Sequence, residues 1–223
     1  MEQTTLFIVV GGLLVLTLVL ASIIQRYNDF VEERNQKVQR ILNRVTEIEA
    51  LIQRIPGLPV PVEVETLLRQ DILVRLQALK QIHPRYEGIN QMIQAAEQAV
   101  GEVKAQPQGT QLDALRLEQF SRLLKEVDWL LKERRLLTPM TDEYRDRLIA
   151  ALDFRHAESL YHHHIKQAER LEKEQQLHQA HWHCSQLKTL VEPLVQNNQQ
   201  AAEWIKEIRR VCEKITKSLR GSA

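Results

Sequence analysis

Glycine and proline are scarce, seven of each in 223 residues, and aromatic residues make up only 5%. A β-sandwich or barrel needs turn chemistry about every 8–12 residues, so this little punctuation excludes one. Cysteine is scarcer still. Cys184 and Cys212 are the only two and form no CxxC, which excludes a zinc ribbon or a disulfide scaffold and points to a reducing compartment. An excess of one charge is missing too: 30 Lys and Arg against 29 Asp and Glu leave +1, with no overall pull toward nucleic acid or acidic partners. There is no Gly-rich phosphate loop, no GxSxG and no HExxH, so no catalytic motif is on offer and the chain reads as a non-enzyme. The arginines lie among acids rather than interleaved with stacking aromatics, so nucleic acid is not an expected partner.

What remains is dominated by Leu, Ile, Val, Ala, Gln, Glu, Lys and Arg, mostly good helix formers. The expected fold class is all-α. The N-terminal run LFIVVGGLLVLTLVLASII, Leu6 to Ile24, carries no charge and as a helix would reach about 28 Å, close to a bilayer's hydrocarbon core. A cleaved signal peptide fits less well, because MEQTT is not basic and no A-x-A site follows. The run therefore reads as an uncleaved signal anchor over 6–24, behind a short tail over 1–5. Arg26, Arg34, Lys37, Arg40 and Arg44 follow the run and no basic residue precedes it. The positive-inside rule then places the C-terminal part in the cytoplasm. The expected localisation is a single-pass protein of a bacterial inner membrane, with the lipid bilayer as one partner.

Beyond the anchor, Val31, Val38, Val45 and Ile52 recur every seven residues, and Ile41, Ile48 and Ile55 fall three after the last three of them. This a/d pattern of β-branched residues describes a juxtamembrane coiled-coil stalk over 25–55. Its interaction seam is Val31, Val38, Ile41, Val45, Ile48 and Ile52, covered by later helices of the chain, by a second copy, or by another helical protein. Pro56, Pro59 and Pro61 end the stalk in a Pro-rich hinge over 56–62.

The rest, 63–220, reads as a multi-helix bundle of αα-hairpins. Leu68, Ile72, Leu76, Leu79 and Ile82 repeat at helical spacing. Pro84 suits the first turn of the next helix, which carries Ile89, Met92, Ile93, Ala96 and Val100. Thr110 with Asp113 resembles a capping box. Phe120, Leu123, Leu124, Val127, Leu130 and Leu131 then form a stripe, and Thr138–Pro139 signals a new start. A long helical region follows to about Leu194, and Ala201, Trp204, Ile208, Val211 and Ile215 mark a last helix.

One constellation suggests chemistry. HHH at His162 to His164 lies upstream of HQAHWHC at His178 to Cys184. If the chain folds back near Glu172, these meet, and His162, His163, His178, His181 and Cys184 form a mixed shell suited to zinc. On a single straight helix His178, His181 and Cys184 spiral instead of converging, and Cys184 falls on the apolar register of Leu177, Ala180, Leu187 and Val191. The leading expectation is therefore no cofactor and a membrane-anchored cytoplasmic helical scaffold or adaptor for protein–protein interaction, with self-association through the stalk. The alternative is a zinc sensor or metal-dependent enzyme.

Overall fold

The computed structural model describes residues 2–103, 112–194 and 199–221, with side-chain surroundings from residue 20 to residue 220. Among these residues are seven α-helices and no strand: α1 (Glu2–Gln53), α2 (Val62–Ile82), α3 (Ile89–Gly101), α4 (Ala114–Lys132), α5 (Asp142–Lys173), α6 (Leu177–Val191) and α7 (Gln199–Gly221). A 3-10 turn, Glu192–Leu194, follows α6. The protein is all-α, a helical bundle.

The single-pass membrane reading is corrected. Among the described residues no helix is long and apolar enough to cross a membrane. The described side chains of α1 supply Leu20, Ala21, Ser22, Ile23 and Ile24 before Arg26 and Asp29 intervene, far short of the roughly 20 apolar residues a span needs. Residues 6–19 of the apolar run lie outside those whose side chains are described. With the span go the signal anchor, the outer tail and the inner-membrane placement inferred from it.

Helix ends follow local chemistry. α1 stops before Pro56, and Gly57 turns the chain at φ 81°, a conformation open to glycine without a Cβ clash. This Pro-rich link is a packed corner: Leu58 and Val60 are buried, and Leu58 N–H donates to the Ile55 carbonyl at 2.9 Å. α3 starts at Ile89 behind Gly88, with Pro84 left in the preceding turn. Thr110 lies outside the described residues, and Asp113 is itself the N-cap of α4, accepting from Arg116 N–H at 2.8 Å. Thr141, rather than Thr138, caps α5 through Tyr144 N–H at 3.2 Å. Each such cap satisfies one of the orphan donors of a helix's first turn.

The long helical region is two helices. α5 ends at Lys173, and Gln175 turns the chain at φ 60°. Gln176 N–H then donates back to Leu171 O at 2.8 Å and Gln175 N–H to Glu172 O at 3.0 Å, the paired bonds of a Schellman stop. Arg134, at φ 51°, ends α4 in the same way, with Arg135 N–H on Leu130 O at 3.0 Å.

Two apolar regions result, and α5 belongs to both. α1 from Val38 onward, α2, Ile89 of α3, α4 and the first half of α5, through Leu148 and Leu152, share one core around Phe120, Ile48 and Leu79. The second half of α5 packs with α6 and α7, through Tyr161, Ile165, Leu187, Trp204 and Ile208 and then through Ala168, Leu171, Ala180, Cys184 and Ile215.

One polar lock sits in the first core. Asp71 of α2 is fully buried and accepts from Arg75 Nε at 2.6 Å, Thr138 N–H at 2.9 Å and the Leu137 N–H. Arg75 Nη2 donates in turn to the Arg135 carbonyl at 2.7 Å. Backbone donors and acceptors that no ladder could satisfy are thereby paired inside the core, and the α4–α5 link is fastened to α2.

Candidate functional site

The two histidine clusters do meet, because the turn at Glu174–Gln176 lays α6 antiparallel on α5. The pair brought together is His164 and His183, whose Nδ1 atoms are 2.7 Å apart with ring centroids 5.0 Å apart. His163 stands beside them, its ring 5.5 Å from that of His164, and Trp182 packs edge-on against both His164 and His183. A hydrogen bond between two ring nitrogens needs one N–H and one lone pair, so at least one of the two rings is neutral. Their electrostatics agree. Burial, then His183 and His163, lowers His164 to about 4, and burial, then His163 and Arg170, lowers His183.

The other residues of the expected metal shell go elsewhere. His178 and His181 are exposed on the outer side of α6. His162 turns toward α7, edge-on to Tyr161 and Trp204. Cys184 is fully buried, and its thiol is raised by burial, then by a hydrogen bond with Cys212. Among the described residues no group of three or more His, Cys, Asp or Glu is placed to hold a metal ion. His164 and His183 provide two donors, whereas a closed zinc site takes four and a catalytic one three. Missing from the sequence reading was His183. The signal was available in hindsight: residues 164 and 183 are nearly equidistant from Glu174, but no glycine or proline marks that position as a turn.

The seam residues divide by depth. Val38, Val45 and Ile48 are buried against the chain's own helices, while Ile41 and Ile52 are half-buried on the same core. Val31 is half-buried, and above it Leu20, Ile23, Ile24, Tyr27 and Phe30 are exposed.

A groove lies between the lower part of α1, α2 and α3. It encloses about 600 Å³ and is walled by Ile52, Ile72, Leu76, Met92 and the alanines Ala95, Ala96 and Ala99. Glu49, Gln53 and Arg69 form its polar edge, and Arg69 is tied to Glu65 at 2.7 Å. The groove exists because α1 and α3 each pack on α2, and the alanines of α3 leave the space between them unfilled. Its chemistry is burial and shape. Comparison with protein families, with curated proteins and with solved structures finds no match for this chain.

Proposed function

We propose that this protein is a helical scaffold or adaptor that takes up an amphipathic helix of a partner protein in the groove between α1, α2 and α3. The observation that carries the reading is the groove itself: an open trough with aliphatic walls, an alanine shelf and a charged edge. Helix-in-groove recognition works through such a surface, the apolar face of the incoming helix supplying anchors at i, i+3, i+4 and i+7. Volume and lining fall within the usual range of apolar binding clefts.

The test places a photocrosslinking residue at Ala99 in cells, with the exposed Arg209 of α7 as the control position. The expected result is a discrete adduct from Ala99 alone. The partner segment identified from it, made as a synthetic peptide, binds the purified chain and fails to bind the Ala95→Arg/Ala99→Arg variant, whose helical content is unchanged. Equal adducts from both positions, or peptide binding indifferent to the double substitution, would overturn the reading.

A further inference from the structure

Arginines that lie far apart in the sequence converge on a single tryptophan. Arg40 and Arg44 stand one turn apart on α1, Arg75 comes from α2, Trp129 from α4, and Arg135 from the stop that follows α4. Together with Asn43 and Glu47 they line one cleft of about 440 Å³. The Arg44 guanidinium carbon lies 5.7 Å from the centre of the Trp129 ring, and that of Arg135 lies 5.4 Å from it. A guanidinium held on an indole by cation–π attraction keeps its in-plane N–H groups free, and those are the edges that pair with oxyanions.

The cleft is built from beneath. The Arg75 side chain is 9% exposed, fixed by Asp71 on one side and by its own hold on the Arg135 carbonyl on the other. The left-handed Arg134 aims the chain so that Arg135 reaches Trp129. Trp129 is 47% exposed, a large apolar ring left at the surface, where it holds two cations in position.

Charge is concentrated here as nowhere in the composition. Four guanidinium groups face two carboxylates, and both carboxylates are engaged: Glu47 by Arg44, and Asp71 by Arg75 and the backbone beyond it. Among the described residues no acidic side chain pairs with Arg40 or Arg135. A single carboxylate ligand would leave part of this charge unmatched; a phosphoryl group offers two charges and three oxygens to bidentate donors. Nucleic acid needs a row of such charges along a surface; α4 beside the cleft instead carries mixed signs, Glu126 and Asp128 among Lys125 and Lys132.

We propose that this cleft is a binding site for a small phosphorylated molecule, with Arg40, Arg44 and Arg135 on its phosphoryl oxygens and Arg75 as a positioning residue that fixes Arg135. The ligand approaches as an anion between α1 and the end of α4, and Trp129 orients the two guanidinium groups that receive it.

The experiment titrates the purified full chain with pyrophosphate at low ionic strength by calorimetry. It compares the wild type with Arg40→Ala/Arg135→Ala and with the charge-matched control Arg209→Ala/Arg210→Ala on α7. Saturable one-site binding is expected in the wild type. Binding should be about 100-fold weaker in the cleft variant, given roughly tenfold for each charge-assisted pair removed, and within about twofold of wild type in the control. Arg40→Ala alone, on an exposed side chain, gives about tenfold and keeps the test readable should the double variant fold poorly. No saturable binding, equal weakening in both double variants, or binding to phosphatidylglycerol vesicles with none to pyrophosphate would each overturn the proposal.

Discussion

His164 and His183 face each other across α5 and α6 through their Nδ1 atoms, 2.7 Å apart. That bond needs one unprotonated Nδ1 to accept it, so protonation of both rings in acid breaks it and leaves two cations side by side, with His163 and Arg170 adding to the repulsion. His164 sits at about 4 in the folded chain against roughly 6.5 in an unfolded one. The unfolded state therefore binds more protons between these values, and stability rises with pH across that window. Its contribution is complete above about pH 6.5 and is lost as pH falls toward 4. Urea unfolding at pH 7 and pH 5 is expected to differ by about 2 kcal/mol from this group. In His164→Gln the difference shrinks by that amount; an unchanged pH dependence would refute the assignment.

The Asp71–Arg75 pair predicts a large, local cost. Asp71→Asn leaves the Arg75 charge unmatched in the core and weakens the grip on Leu137 and Thr138, which should lower stability by about 3–5 kcal/mol. Arg54 and Glu126 form a contrast, bridging the end of α1 to α4 with side chains 46% and 50% exposed. Arg54→Ala should change stability by less than about 1 kcal/mol. Chemical denaturation of both variants decides whether burial or mere pairing sets the energy.

The buried thiol predicts inertness. Thiolate is the reactive form, and Cys184 is held as the thiol by burial and by Cys212. Alkylation by iodoacetamide near neutral pH, mapped by mass spectrometry, should leave Cys184 unmodified in the folded chain and label it fully in denaturant. Labelling at the same rate in both conditions would contradict its placement between α5, α6 and α7.

Gln175 predicts a gain. It holds a left-handed conformation at φ 60° that costs an L-residue roughly 1–2 kcal/mol and glycine almost nothing. Gln175→Gly should stabilise the chain by about 0.5–1 kcal/mol, the larger loss of glycine's freedom on folding offsetting part of the relief. Thermal unfolding reads this as a rise of a few degrees.

That same residue explains where the sequence was legible and where it was not. Apolar periodicity reports burial directly, so the stripes of α4 and α6 are visible in the chain as written. A helix stop is visible only when glycine or proline makes it. The end of α4 is followed by Thr138–Pro139 and is visible, but α5 stops on Gln175, which carries no such mark, so the antiparallel α5 and α6 read as one long helical region. His183 is then absent from the expected metal shell. The arginine cleft was hidden for a related reason: Arg40, Arg75 and Arg135 lie far apart in the chain, and only the packing of α1, α2 and α4 brings them to one place. The apolar run at the N-terminus misled in the opposite direction, since composition alone carried an expectation about its surroundings.

α5 is held at both ends by different cores, Leu148 and Leu152 in one and Tyr161, Ile165 and Leu171 in the other. Adding or deleting one residue between Leu152 and Tyr161 would turn one half of the molecule against the other by about 100° and shift it by about 1.5 Å. No side-chain adjustment absorbs such a change, because each core fixes its own azimuth. α5 thus acts as a phase key between the arginine cleft on one half and the histidine pair on the other. Its residue count is expected to resist insertion and deletion far more strongly than the identity of its exposed side chains resists substitution.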